Sequence, residues 1–278
     1  MNGEKNKIDW IINNMEKSIS VVMPIHNQEN IIENIVTNLF ANSSENVCEF
    51  IFVLDDCTDS SQEILQNTIL GFSIKTTVRL LFANDVYETT SCNMGFRAAK
   101  GSYIINFQDD MLVTEKNYDQ RMMKPFDVVP ELLAVSARDA VNVKIIPGRS
   151  FPNELNFYNV FGTDVYSPRN IFGIRDIVNR GPIMFDHKKL EEVGYLDERF
   201  IMFQDDTELF LRAYQDKGYV SGAYVIGYES PLSWGSTRKN PQKAQYFNWL
   251  EKRNMNFIAE NYKDIIEADK HNADIILE

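Results

Sequence analysis

A chain of 278 residues, 44% hydrophobic and 24% charged, suits one large α/β domain or one domain with an appendage, and this composition excludes disorder throughout. Its formal charge of −12 argues against a nucleic-acid or anionic-membrane partner, since both need a basic face. A phosphorylated substrate stays open, because a divalent cation inverts the local charge.

Residues 1–17 read as an N-terminal extension without the apolar core of a signal peptide. Three cysteines, Cys48, Cys57 and Cys92, form no CxxC pair, and the odd count fits reduced thiols. No run approaches the ~18 apolar residues of a membrane span. The expectation is a cytoplasmic protein, with peripheral membrane association through partners left open.

Ser18 to Ile25 is a short apolar run that reads as a buried strand leaving the sheet at Pro24. Ile31, Ile32, Ile35, Val36, Leu39 and Phe40 then recur at helical spacing. Glu49 to Leu54 is a second strand, followed by Asp55 and Asp56. Ser60 and Glu63 have the spacing of a capping box opening a helix. Thr77 to Ala83 is a third strand, and Thr89 to Ala99 a helix that Lys100-Gly101 should end. A fourth strand, SYIINFQDD, delivers Asp109 and Asp110 to its carboxyl end. This alternation predicts a mostly parallel central sheet flanked by helices, with right-handed crossovers. Ligands of open α/β sheets bind at the carboxyl edge, where both acidic pairs fall.

Leu132 to Ser136 suggests a further strand. Asn142 to Arg175, rich in Pro, Gly and aromatics, reads as a long irregular binding loop. Ile177 to Phe185 is a strand broken at Gly181-Pro182, and His187 to Val193 a short helix. Asp206 to Asp216 is a helix stopped by Gly218, and Tyr219 to Ile226 a strand. Asn240-Pro241 reads as the start of an amphipathic helical tail carrying Phe247, Leu250, Phe257 and Ile258.

Asp55-Asp56, Asp109-Asp110 and Asp205-Asp206 each suit a helix cap or a solvated turn when taken alone. Crowded into one cleft they would repel unless a cation, a proton or a donor-rich substrate satisfied them. That pattern points to a metal-assisted enzyme.

PIHNQENI, VLDDCTDSS, TSCNMGFRAAKGSYIINFQDD and NRGPIMF…GYLDERFIMFQDDTELFLRAYQDKGY, in that order, resemble glycosyltransferase family 2. The resemblance implies the GT-A fold and inverting transfer from a nucleotide sugar, and the aspartate pair after the second strand points to a UDP-linked donor. It implies a catalytic domain over residues 18–228, with a nucleotide-binding part about 18–110 and an acceptor-binding part about 111–228. Residues 229–278 would form a lid segment and helical tail.

By the same resemblance Pro24, His26 and Glu29 border the base and ribose, and one of Asp55 and Asp56 reads the uracil imide. A carboxylate accepting that N–H favours uridine. Asn93, Asp109 and Gly181 fall on the donor side. Gln108-Asp109-Asp110 aligns with a D-x-D motif in which Mn2+ or Mg2+ bridges protein and diphosphate. Asp110 is then the metal ligand, and Gln108 departs from the motif by one lost charge. Cys92 stands where relatives often carry arginine, so Arg97, Arg180 and Arg238 become candidates for the diphosphate. Asp206 would be the catalytic base, with Asp205 beside it. The acceptor would be a glycan or glycolipid, and oligomeric state is open. Two other readings stand at this point: a non-catalytic nucleotide-sugar or glycan-binding domain, and a sugar-1-phosphate nucleotidyltransferase.

Overall fold

The computed structural model describes residues 18–72, 76–158, 168–231, 233–235, 244–269 and 271–277. Its first half runs β1 (Ile19–Ile25), α1 (Ile32–Asn42), β2 (Val47–Asp55), α2 (Ser61–Gly71), β3 (Thr77–Ala83), α3 (Tyr87–Ala98) and β4 (Tyr103–Asn106). β1 pairs in parallel with β2 and β4, and β2 with β3. The near-continuous apolar runs of β1 and β2 follow from burial on both faces. Val21 and Met23 pack with Ile35, Val36 and Leu39 of α1, while the intervening Val22 packs with Phe96 of α3. Each such side chain contributes roughly 1.5–3 kcal/mol by leaving water.

Pro24 stays inside the sheet, in register with Val53, and β1 continues to Ile25. It is tolerated there because pairing to β4 has already ended at Val22. Helix α3 ends at Ala98 with Ala99 extended, so Gly101 is not its left-handed stop. A Cβ on Gly101 would lie 2.5 Å from the backbone nitrogen of Ser20, so glycine is needed for close approach instead. The capping box is also absent: Ser60 makes no side-chain cap, and Asp59 Oδ1 accepts from Ser61 N at 3.0 Å.

The second half adds β5 (Leu112–Val113), α4 (Tyr118–Met123), β6 (Leu132–Ser136), β7 (Ala140–Pro147), β8 (Asn153–Tyr158), β9 (Ile171–Arg175), β10 (Ile177–Val178) and β11 (Ile183–Asp186). After them come α5 (His187–Glu192), α6 (Asp205–Lys217), β12 (Val220–Ala223), β13 (Tyr228–Glu229), α7 (Ala244–Asn261), α8 (Lys263–Glu267) and β14 (Ala273–Ile276). The central sheet has the order β14-β9-β12-β6-β11-β4-β1-β2-β3. The parallel block of the first half is thus extended by β11, which runs antiparallel to both β4 and β6.

Residues 142–175 are not one irregular loop. β7 and β8 form a hairpin, in register from Asn142↔Tyr158 to Pro147↔Asn153, and β9 enters the main sheet. Pro147, Gly148 and Pro152 mark its turn. Helix α7 packs on this hairpin, where Asn153 N donates to Asn256 Oδ1 at 3.0 Å and the Phe151 and Trp249 rings lie 6.4 Å apart. The tail is not purely helical either, since β14 pairs antiparallel with β9. Phe247, Leu250 and Ile258 are buried as expected. The expected helix start at Asn240-Pro241 lies outside the described residues.

Candidate active site

The carboxyl ends of β1, β2 and β4 bring the first two acidic pairs together, but with different tasks. Asp55 is buried and caps α3: Oδ1 accepts from Val86 N and Oδ2 from Tyr87 N, each at 2.9 Å. Each oxygen thus already accepts one backbone N–H and keeps one further acceptor position. Asp56 is exposed at the same strand end with φ +45. His26 Nδ1 lies 2.6 Å from the Asp55 carbonyl oxygen, and its Nε2 lies 3.1 Å from Asn27 Nδ2. That pairing fits an Nδ1–H imidazole donating to the carbonyl while accepting from the amide. Glu29 is exposed and accepts from Ser60 N at 3.0 Å, tying the turn after β1 to the start of α2.

Asp109 links strand ends rather than facing outward. It accepts from His26 N at 2.8 Å and from Gln28 Nε2 at 3.1 Å. Burial nevertheless pushes its carboxyl up to about 7, with Asp110 and Glu88 adding repulsion. Gln28 also donates to the Trp234 carbonyl at 3.1 Å, which brings the segment 233–235 to the end of β1.

Gln108, Glu88, Arg180 and the Asp205-Asp206 pair form one connected network. Gln108 Nε2 donates to Glu88 Oε1 at 2.8 Å. The same oxygen lies 3.3 Å from the Arg180 guanidinium, which reaches Asp205 Oδ2 at 2.9 Å. Arg180 is only 6% exposed and Asp205 2%. Thr89 Oγ1 also donates to Asp205 Oδ2, at 2.7 Å. Burial raises the Asp205 carboxyl well above the ordinary range; Arg180 pulls it down, while Asp206 and Glu88 push it further up. The guanidinium is held firmly protonated because Asp205 and Glu88 outweigh its own burial cost. Asp206, half-buried at the start of α6, accepts from Arg180 N at 3.3 Å and from Thr207 N at 2.8 Å.

Cys92 clarifies why Arg180 can sit here. Its thiol is fully buried, pushed up to about 12 by burial, and lies 3.5 Å from an Arg180 nitrogen. A small side chain on α3 leaves room for a cation arriving from the β10–β11 connection. Gly181, with φ +79 and a cis peptide to Pro182, runs directly under Gln108. A Cβ there would lie 2.8 Å from Gln108 Oε1.

A cleft of about 950 Å³ opens above this network. Its lining includes Glu88, Gln108, Asp110, Arg138, Met202 and Phe203, together with residues 225–231, Gly235 and Phe247. Its size is that of a small-molecule site. Among the described lining residues Arg138 is the only basic one. Its Nε lies 3.9 Å from Asp139 Oδ1, and Asp139 accepts from Asn179 Nδ2 at 2.5 Å.

The expected site residues therefore separate. His26, Asp56, Gln108, Asp110, Gly181 and Asp206 gather around the strand ends or the cleft, while Pro24, Asp55, Asp109, Arg180 and Asp205 support them from beneath. Asn93 is not available to a donor: it is fully buried, donates to the Leu196 carbonyl at 2.8 Å and to Glu198 Oε1 at 2.9 Å, and accepts from Leu196 N at 3.1 Å. Arg97 is exposed and paired with Glu198 at 2.9 Å. Arg238 lies outside the described residues. Glu88, Gln28 and Arg138 were missed. An acid in a helix's first turn, as Glu88 is, reads as dipole stabilisation, and neither Gln28 nor Arg138 belongs to a recognisable motif.

No three His, Cys, Asp or Glu side chains converge on a common point among the described residues. A cation cage made wholly of protein is therefore absent from them. Mg2+-type sites seldom need one, since one or two carboxylates plus substrate phosphates and water suffice. Asp110, Glu88 and the Gln108 amide in the cleft lining are oxygen donors of that kind, so the residues fit a divalent cation delivered with a diphosphate.

A family model described as "Glycosyl transferase family 2" matches residues 20–187. No curated protein sequence matches the chain. Among solved structures, a mannosyltransferase, PcManGT from Pyrobaculum calidifontis in complex with GDP-Man and Mn2+, is similar with a TM-score of 0.60 at 16% identity, covering 91% of this chain and 65% of its own. GalNAc-T7 with UDP, GalNAc and Mn2+ gives 0.55 at 13% identity, over 75% and 44%. TarS of S. aureus gives 0.50 at 15% identity, over 78% and 37%. The chain spans less than two thirds of each of these proteins, and at such identities the likeness establishes the shared GT-A fold.

Proposed function

The chain belongs to glycosyl transferase family 2 and is a glycosyltransferase, and from that premise we propose an inverting transfer from a UDP-linked sugar to a hydroxyl of a glycan or glycolipid. The observation that carries this reading is the Arg180 bridge. Its guanidinium joins Asp205 to Glu88, whose other donor is Gln108 on the donor side, while its backbone N–H holds Asp206. Donor motif and base are thus fixed to one another, as a single displacement requires.

His26 and Asp56 would border the uracil, with the Asp56 carboxylate accepting its imide N–H. Asp110 would hold Mn2+ or Mg2+, and that cation supplies Lewis-acid stabilisation of the departing diphosphate. Arg138, also in the cleft lining, would add positive charge for the diphosphate beside the candidates read from the sequence. Asp206 accepts the proton of the acceptor hydroxyl as that oxygen attacks the anomeric carbon from the face opposite the diphosphate. One displacement inverts the configuration without a covalent enzyme intermediate. Gly181 lets the backbone pass close to the sugar without a side chain in the way.

All three cysteines are unpaired thiols, which supports a cytoplasmic setting. No described helix is long and apolar enough to cross a membrane. The test is a panel of UDP-, GDP-, dTDP- and CDP-sugars read by thermal shift with and without Mn2+. A ligand at 100 times its Kd stabilises by about 2.7 kcal/mol. A Mn2+-dependent shift confined to UDP compounds is expected. Equal shifts with GDP compounds would remove the uridine assignment, and no shift with any member would remove the donor class.

A further inference from the structure

Gln108 costs the D-x-D segment one negative charge, and the structure has a carboxylate beside it that the motif does not contain. We infer that Glu88, projecting from the first turn of α3, replaces the missing aspartate and completes the divalent-cation site with Asp110. This rests on the nucleotide-sugar reading above and deepens it.

Three observations carry it. Glu88, Gln108 and Asp110 all line the cleft, and Gln108, two residues before Asp110, lies 2.8 Å from Glu88. The Gln108 amide donates to Glu88, so the neutral residue at the motif position is used to hold the charged one. Both donors to Glu88, from Gln108 and Arg180, fall on Oε1, and Oε2 has no hydrogen bond among the described residues. A carboxylate so held keeps one oxygen for a ligand while its orientation is fixed by the other. Charge balance agrees. Arg180 is shared between Asp205 at 2.9 Å and Glu88 at 3.3 Å, so one guanidinium faces the three carboxylates of Asp205, Glu88 and Asp110 and leaves the cluster acidic enough for a cation. The Gly181 backbone under Gln108 leaves the amide no side-chain neighbour from below, so the pair is positioned by its own hydrogen bond.

The experiment is a Mn2+ titration of the full chain in saturating UDP, followed by calorimetry and by loss of the free-ion paramagnetic resonance signal. Wild type, Glu88→Gln, Gln108→Asp and the double variant are compared. Glu88→Gln keeps an oxygen acceptor for Gln108 and Arg180, so folding is checked by thermal unfolding and UDP binding in chelator should be unchanged. It should weaken Mn2+ binding about 10–100-fold or more, the range seen when cation sites lose supporting groups. Gln108→Asp should tighten it, and the double variant should recover wild-type affinity because the charge returns to the motif position. Unchanged Mn2+ affinity in folded Glu88→Gln overturns the assignment, as does a double variant no better than Glu88→Gln alone. Absence of Mn2+ binding by wild type with UDP and with GDP would instead overturn the underlying donor reading.

Discussion

Replacing Arg180 by methionine tests the network that joins the two halves of the site. The substitution keeps an unbranched chain but removes a guanidinium lying 2.9 Å from Asp205 and 3.3 Å from Glu88, in surroundings that leave its side chain 5% exposed. Breaking a buried pair from one side costs about 3–5 kcal/mol, because the partner charge stays behind. At about 2–4 °C per kcal/mol for a domain of this size, the melting temperature should fall by roughly 6–20 °C at pH 8. The sign of the pH dependence follows from Asp205. Its folded-state carboxyl is raised, so its contribution to stability is fully present below the unfolded carboxylate value and is lost as pH rises through the folded one. Removing Arg180 raises that value further, so the variant should lose more stability than wild type on going from acid to pH 8. The difference in melting temperature should therefore narrow on acidification toward pH 5.5. Thermal unfolding by circular dichroism across this range checks both points. A drop below about 2 °C at pH 8, or a difference independent of pH, refutes the reasoning.

Gly181→Ala forces an L-residue to φ +79, at about 1–2 kcal/mol, and brings a Cβ to 2.8 Å from Gln108 Oε1. Calorimetry should show weaker Mn2+-dependent UDP binding along with the lower melting temperature; intact binding would show that the Gln108 position is not needed. Asp55→Ala removes both acceptors at the start of α3 and should destabilise by about 0.5–2 kcal/mol in denaturant unfolding. It should weaken UDP binding less than Asp56→Ala does, and the reverse order would return base reading to Asp55.

Patterns that depend on neighbours in the chain were legible. β1 to β4 and their intervening helices follow from apolar runs and helical spacing, and β3 has the bounds read from the sequence. Gly218 ends α6 with φ +69, as a left-handed stop should. Pairings between distant segments were not legible. The β7–β8 hairpin was hidden because its strands carry no clean alternation, and β14 because it is a short edge strand with little buried surface. The site divides in the same way. Asp110 and Asp206 are marked by motifs, whereas Asp55 and Asp109 share their acidic runs but turn inward to hold α3 and β1. Only tertiary contact distinguishes a carboxylate that caps from one that binds. Glu88 shows the converse, a residue with an ordinary local explanation that the fold carries to the motif's missing charge.

The central claim is that Asp206 takes the acceptor's proton while the donor is held elsewhere. Its most direct test is nucleoside diphosphate release from the sugar nucleotide identified by thermal shift, in the presence of Mn2+ and an acceptor mixture, for wild type and Asp206→Asn. Turnover in the variant should fall by about 10²–10⁴-fold while the donor dissociation constant stays unchanged. Turnover within about tenfold of wild type, below the range a general base contributes, would contradict the account.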